Sequence, residues 1–203
     1  MINEINRVLS KINANDYTFS FYTARQLLCL HDLFEINELM PTDHFFDALG
    51  KNYTLLRYPI NKKSELRAWD TADQYLLDTL SEFKRDLNGI CIINDNFGAL
   101  TLPLLKHNPI CYSDSWLSRE ALYNNIEANG LSKTLSFLST IDQLDNHPSP
   151  SIIIGRIPKS KSQLAFLLQQ LHKWAEDGTY LLLAGMDKHL SKGQFDLLEE
   201  YFG

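Results

Sequence analysis

Short apolar runs recur along the second half of the chain at Ile90–Asn94, Ile110–Tyr112, Thr134–Leu138, Ser151–Ile154 and Tyr180–Ala184. None alternates cleanly with polar residues, which predicts strands buried on both faces. Amphipathic stretches separate most of them. Ser115 to Asn129 is closed by Gly130, Lys161 to Ala175 carries Leu164, Leu167, Leu168, Leu171 and Trp174 on one face and is closed by Gly178, and Ser191 to Phe202 comes last. Helix-period apolar positions ended by glycine predict a helix in each. Upstream, Tyr53 to Tyr58 reads as an edge strand stopped by Pro59, and Ser64 as the cap of a helix facing inward with Trp69, Ala72, Leu76, Leu80 and Phe83. Strands alternating with helices predict an α/β fold, a parallel sheet covered on both faces with right-handed crossovers.

The first fifty residues follow another pattern. Ile5, Val8, Leu9 and Ile12 mark one short amphipathic helix, and Ala24, Leu27, Leu28 and Leu33 another that ends before Pro41. Aromatics (Tyr17, Phe19, Phe21, Tyr22, Phe45, Phe46) lie between and after them. The expected organisation is a helical N-terminal extension over residues 1–52 and a main domain over 53–203. The fifth sheet strand, Tyr180 to Ala184, would then lie at a bare edge. Such an edge invites aggregation, so further chain is expected beyond Gly203.

The stretch from Gly89 to Asp114 has the layout of half a nucleotide site. A buried strand enters the turn Asp95-Asn96-Phe97-Gly98, and a second strand closes on Asp114. In dinucleotide and S-adenosylmethionine sites, glycines let the backbone approach the ligand and an acid beyond the second strand accepts the ribose hydroxyls. Asp95, Gly98 and Asp114 occupy those positions, but the glycine cluster is reduced to Gly98, beside the bulky Phe97. In a competing reading, Asp95 and Asp114 cap the helices that follow them. After the fourth strand, enzymes that methylate exocyclic amines carry Asn-Pro-Pro-aromatic, which holds the amine while the flipped base stacks on the ring. Here the chain reads Gly155-Arg156-Ile157-Pro158-Lys159-Ser160, without the asparagine or the aromatic.

Charge modifies this picture. The 203-residue chain has a formal net charge of −6, which argues against a domain that grips nucleic acid by bulk electrostatics. Locally the balance reverses. From Asn146 to Ala175 there is no acidic residue, whereas Arg156, Lys159, Lys161 and Lys173 are basic. A basic stretch at the carboxyl end of a parallel sheet is a candidate phosphate-contacting patch, with a solvated surface as the alternative. A second cluster, Arg57, Lys62, Lys63 and Arg67, lies near Tyr53 and Tyr58, a mixture that suits single-stranded RNA.

Other chemistries find no footing in the sequence. There is no phosphate loop, nucleophile elbow or His-Glu-x-x-His pair, and the six histidines lack ligand spacing, so no metal is expected. Cys29, Cys91 and Cys111 read as core residues of a reduced, cytoplasmic protein. No apolar run approaches the ~20 residues of a membrane span, and no membrane association is expected.

Four blocks carry a family resemblance: Tyr53-Thr54-Leu55-Leu56-Arg57-Tyr58-Pro59, Ala68 to Leu77, Asn94-Asp95-Asn96-Phe97-Gly98-Ala99-Leu100, and Asp114-Ser115. In this order they resemble the N-terminal half of bacterial ribosomal RNA large-subunit methyltransferases G, over roughly Tyr53 to Gly203. The resemblance implies a degenerate copy of the Rossmann-like S-adenosylmethionine methyltransferase fold. It also implies a C-terminal catalytic domain in cis, large-subunit rRNA as partner, and methyl transfer to the exocyclic N2 of a guanine. S-adenosylmethionine would serve the full-length enzyme, and none is expected bound to this chain. No catalytic residue of the family has a counterpart here. Two alternatives stand beside this expectation: a free-standing methyltransferase with a divergent site at Asp95, Gly98 and Asp114, and a structural brace that touches no RNA.

Overall fold

The computed structural model describes residues 19–23, 44–59, 66–132, 134–186 and 190–202, with backbone alone for 19–23. Its centre is a six-stranded, all-parallel sheet. The strands are β1 (Phe19–Thr23), β4 (Cys91–Ile93), β5 (Ile110–Tyr112), β6 (Ser136–Leu138), β7 (Ile152–Arg156) and β8 (Tyr180–Gly185), arranged β1-β8-β7-β4-β5-β6. A separate antiparallel hairpin joins β2 (Phe45–Ala48) to β3 (Lys51–Thr54). The helices are α1 (Thr71–Ser81), the single turn α2 (Thr101–Leu104), α3 (Trp116–Ala128), α4 (Lys161–Trp174) and α5 (Lys192–Phe202).

Two apolar layers explain why the strands carry no polar alternation. Ile92, Cys111, Ile152, Ile154, Leu182 and Ala184 face one layer with α1, α3 and the hairpin. Cys91, Ile93, Ile110, Tyr112, Ile153, Leu181 and Leu183 face the other, which α4 and α5 cover. A strand with helices on both sides has no water-facing position, so every residue of β4 and β5 is buried. Chain order reverses between β4 and β7. That is the switch point where open α/β sheets place their ligands.

Several expectations need correction. The edge of β8 is not bare, because β1 pairs with it in parallel from Phe19↔Leu181 to Thr23↔Gly185. Phe19–Thr23 is therefore a strand within a stretch expected to be helical, and its aromatic and β-branched side chains suit that state. The two helices expected around Ile5 and Ala24 lie outside the described residues. The expected boundary at residues 52 and 53 falls inside the β2–β3 hairpin, whose turn at Leu49 and Gly50 has φ of 49° and 75°. A two-residue turn with both φ positive matches the twist of paired strands.

The segment after β3 is extended, but it pairs with side chains instead of a strand. Asn129 of the last helical turn region accepts from the Thr54 amide at 2.8 Å and donates to its carbonyl at 2.7 Å. Asn125 does the same for Leu56, at 2.9 Å in both directions. Two amides four residues apart on one helix face thus stand in for a neighbouring strand. Finally, α1 begins at Asp70, so Trp69 precedes the helix and Phe83 follows it; Ser64 is outside the described residues. Asp70 accepts from the Ala72 amide at 2.8 Å, and Asp73 accepts from the Asp70 amide at 2.9 Å, which closes a capping box.

Pairing with β1 predicts slow amide exchange along Leu181 to Ala184 in the monomer. Removing residues 1–43 is expected to speed exchange there while leaving Ile152 to Ile154 protected. Equal exchange in the two chains would contradict the pairing.

Candidate functional site at the carboxyl end of the sheet

The turn after β4 consumes its own polar groups. Asp95 Oδ1 accepts from the Gly98 amide at 3.0 Å, while Oδ2 accepts from the amides of Leu100 at 3.1 Å and Thr101 at 2.8 Å and from the Thr101 hydroxyl at 2.8 Å. Oδ2 thus takes three donors and Oδ1 one, so most of the roughly four acceptor positions of the carboxylate are spent on the turn. Asp95 is buried and serves the start of α2. Gly98 adopts φ +94°, and a β-carbon there would stand 2.5 Å from Leu102 Cδ1 and 2.9 Å from Leu122 Cδ1. The space that the missing side chain leaves is filled by the protein's own leucines. The turn is further tied down by Asn125, which donates to the Phe97 carbonyl at 2.7 Å, and by the Arg57 guanidinium, 4.8 Å from the centre of the Phe97 ring.

Asp114 has a different fate. It is exposed, and Ser115, not Asp114, caps α3 by accepting from the Ser118 amide at 3.2 Å. No described residue hydrogen-bonds the Asp114 carboxylate.

Arg156 ends β7 at the switch point, but it is not a free cation beside Lys159. Its Nη1 donates to both carboxylate oxygens of Asp73 at 2.8 Å, and Nη2 donates to Asp70 Oδ2. Two acids from the cap of α1 therefore neutralise the residue expected to lead a phosphate patch. They lie 83 and 86 residues away along the chain, outside the acid-free stretch. Their one local signal was the acidic pair Asp70 and Asp73, at capping-box spacing. Burial pushes the Asp73 carboxyl up to about 6 against the pull of Arg156. Burial also works against the charged guanidinium, but the two carboxylates overcome it and hold the Arg156 pKa above its ordinary value.

The remaining cations are dispersed. Lys159 is exposed. The Lys161 ammonium instead lies over the start of α5, 2.8 Å from where a β-carbon on Gly193 would be. Arg57 also donates to the Arg67 carbonyl at 3.0 Å, and Arg67 stacks over Trp69 at 5.7 Å. Lys62 and Lys63 lie outside the described residues.

Beside a smaller cleft of about 170 Å³ lined in part by Arg156, Lys159 and Gly185, two larger ones open here. One, of about 490 Å³, is lined by Arg57, Arg67, Trp69, Asp70 and Phe97, among others. The other, of about 290 Å³, lies between the ends of β5 and β7 and α4, lined in part by Asp114, Lys159 and Phe166. Arg156 and Asn96 line both, so the guanidinium cluster divides them. Among the described residues, no group of histidine, cysteine, aspartate or glutamate could hold a metal, and no helix is long and apolar enough to cross a membrane. Cys91 and Cys111 are buried free thiols. Burial raises both pKa values, that of Cys111 to about 12, so neither is a poised nucleophile.

Residues 43–203 match the family described as the RLMG N-terminal domain. The chain belongs to this family. It is 35% identical over 159 residues to the ribosomal RNA large subunit methyltransferase G of Aeromonas hydrophila, covering 77% of this chain and 41% of that protein. The Streptomyces avermitilis protein of the same name is 35% identical over 156 residues, covering 74% and 40%. This RLMG N-terminal domain thus spans about two fifths of the length of the curated relatives it matches. Its fold resembles that of the T. thermophilus 16S rRNA N2 G1207 methyltransferase solved with AdoMet and guanosine. The TM-score is 0.57 at 20% identity, covering 78% of this chain and 45% of that one. The likeness establishes the Rossmann-like methyltransferase fold. The expected glycine-poor turn now has its physical content: Leu102 and Leu122 occupy the room that Gly98 leaves.

The raised Asp73 pKa sets a sign for pH dependence. Its folded value, about 6, exceeds the ordinary 3.8, so the folded chain holds a proton there that the unfolded chain releases. That contribution is present below about pH 4 and is lost as pH rises through about 6. The stability of the parent chain minus that of Asp73→Asn is expected to fall by roughly 2.4 kcal/mol between pH 4 and pH 7 in denaturant titrations. A difference that grows with pH would show that Arg156 outweighs burial.

Proposed function

We propose that this RLMG N-terminal domain is a non-catalytic, RNA-holding module of an S-adenosylmethionine-dependent large-subunit rRNA (guanine-N2)-methyltransferase, acting in the cytoplasm beside a catalytic domain in cis. The observation that carries this reading is the self-filled turn at Gly98. A methyltransferase needs its first loop open to the cofactor. Here Leu102 and Leu122 pack where a β-carbon on Gly98 would stand, and the Asp95 carboxylate is spent largely on the start of α2.

The position after β7 supports the same reading. Gly155-Arg156-Ile157-Pro158 offers no side-chain amide to receive an amine, and its one polar side chain is held by Asp70 and Asp73. Relatives named ribosomal RNA large subunit methyltransferase G extend well beyond the matched segment, which leaves room for a second domain to carry the reaction. RNA is favoured as the domain's own ligand by what remains accessible at the carboxyl rim: Lys159, the Arg57 and Arg67 pair beside Trp69 and Phe97, and the exposed rings of Trp116 and Phe166. Cations interleaved with aromatics suit unpaired RNA.

Isothermal titration of the 203-residue chain with S-adenosylmethionine is expected to give no binding up to several hundred micromolar. A dissociation constant in the low micromolar range, about −8 kcal/mol, would contradict the closed site and favour a free-standing methyltransferase.

A further inference from the structure

The cleft between β5, β7 and α4 has a lining that the closed cofactor turn does not explain. Its volume of about 290 Å³ lies just below the ~300–1,000 Å³ typical of small-molecule pockets. One wall comes from α4, where Gln163, Phe166 and Leu167 share a face at spacings of three and four residues. Phe166 is 52% exposed although it adjoins a cleft, so one face of an aromatic ring is available for stacking. The opposite wall is the turn Ser113-Asp114-Ser115.

The polar groups in this turn have spare capacity, unlike Asp95 Oδ2. Ser113 Oγ accepts from the Ser115 amide and Ser115 Oγ accepts from the Ser118 amide, each at 3.2 Å, so both hydroxyl protons are left to donate. No described residue occupies the acceptors of Asp114 or the ammonium of Lys159. Arg156 lines the cleft as well, but its charge is spent on Asp70 and Asp73. Lys159 is therefore the cation left for a phosphate. It stands just ahead of α4, and Ser115 caps α3, so two helix starts add positive potential at the rim.

A stacking face, a carboxylate with open acceptors, donor hydroxyls and one cation are the complement of a single nucleotide. Resting on the RNA-holding reading above, we propose that this cleft binds one unpaired RNA nucleotide, with its base on Phe166, its phosphate at Lys159, and a pair of N–H or O–H donors on Asp114. Two parts of a nucleotide offer such a donor pair: the N1–H and N2–H edge of guanine, and the ribose diol. A base held in a duplex could not reach the ring, so the ligand is single-stranded or flipped.

The test is fluorescence anisotropy of the 203-residue chain with labelled UUGUU, UUAUU and the DNA counterpart of UUGUU, over a salt series. Phe166→Ala is expected to weaken UUGUU binding about tenfold. Lys159→Ala is expected to flatten the slope of log affinity against log salt by about 0.7. Asp114→Asn is expected to abolish the parent chain's preference for G over A if the base edge is read, or for RNA over DNA if the ribose is read. All three side chains are exposed or at the rim, and unchanged unfolding midpoints will show that the variants fold. Lys106→Ala, at the opposite end of the sheet, is expected to bind as the parent does. RNA binding that survives unchanged in Phe166→Ala and Asp114→Asn would overturn the pocket and leave the RNA-holding reading in place. Failure of the parent chain to bind any of the RNAs would overturn both.

Discussion

Arg156 stands half-buried at the switch point, where the cap of α1 comes to meet it. A guanidinium at the end of a central strand, walled by apolar layers, carries a large desolvation cost unless paired, and Asp70 and Asp73 supply two countercharges in good geometry. The same two acids build the capping box that starts α1, so one cluster fixes both the helix entry and the floor of the cleft. Asp73 is 4% exposed and cannot turn to solvent to relieve the arrangement. The ion pair thus stands at the end of β7, beside the switch point of the sheet.

The neighbouring features are consistent with that exchange of roles. Asp95 accepts from four donors of its own turn, Gly98 is packed by leucines, and Asn125 ties the turn to α3 while it also holds the extended segment at Leu56. Gly155, opposite Ile93, allows β7 to approach so closely that a β-carbon would lie 2.1 Å from the Ile93 carbonyl oxygen. Asn94 then turns out of the strand at φ +56° and donates to the Arg156 carbonyl at 3.1 Å, stitching β4 to β7 above that contact. Each device spends groups at the carboxyl end of β4 and β7 on the fold itself.

Much of the fold was legible in the sequence because its cause is local. Apolar runs mark β4, β5, β7 and β8, helix-period leucines mark α4, and Ser115 and Ser160 mark helix starts. What escaped was set by pairs distant in the chain. Nothing near Phe19 announces that Leu181 is its partner, and nothing near Arg156 announces Asp73. The extended run after Tyr53 looked like a strand because its backbone is one in conformation; only the fold reveals that asparagine side chains complete its hydrogen bonds. Of the candidate site, the scarcity of glycine was readable, but the sequence could not show that Asp95 is consumed while Asp114 is left exposed.

The account stands on the Arg156 cluster as a structural lock, and a double-mutant cycle between Arg156→Leu and Asp73→Asn at pH 7.5 tests it most directly. A lock predicts that Arg156→Leu alone is strongly destabilising and that the two changes are coupled by about 2 kcal/mol or more in denaturant unfolding, because Asp73→Asn removes the buried carboxylate that the loss of Arg156 strands. Additive effects, with a coupling near zero, would mean that Arg156 gains nothing from Asp73 and remains available to a ligand, which would contradict the account.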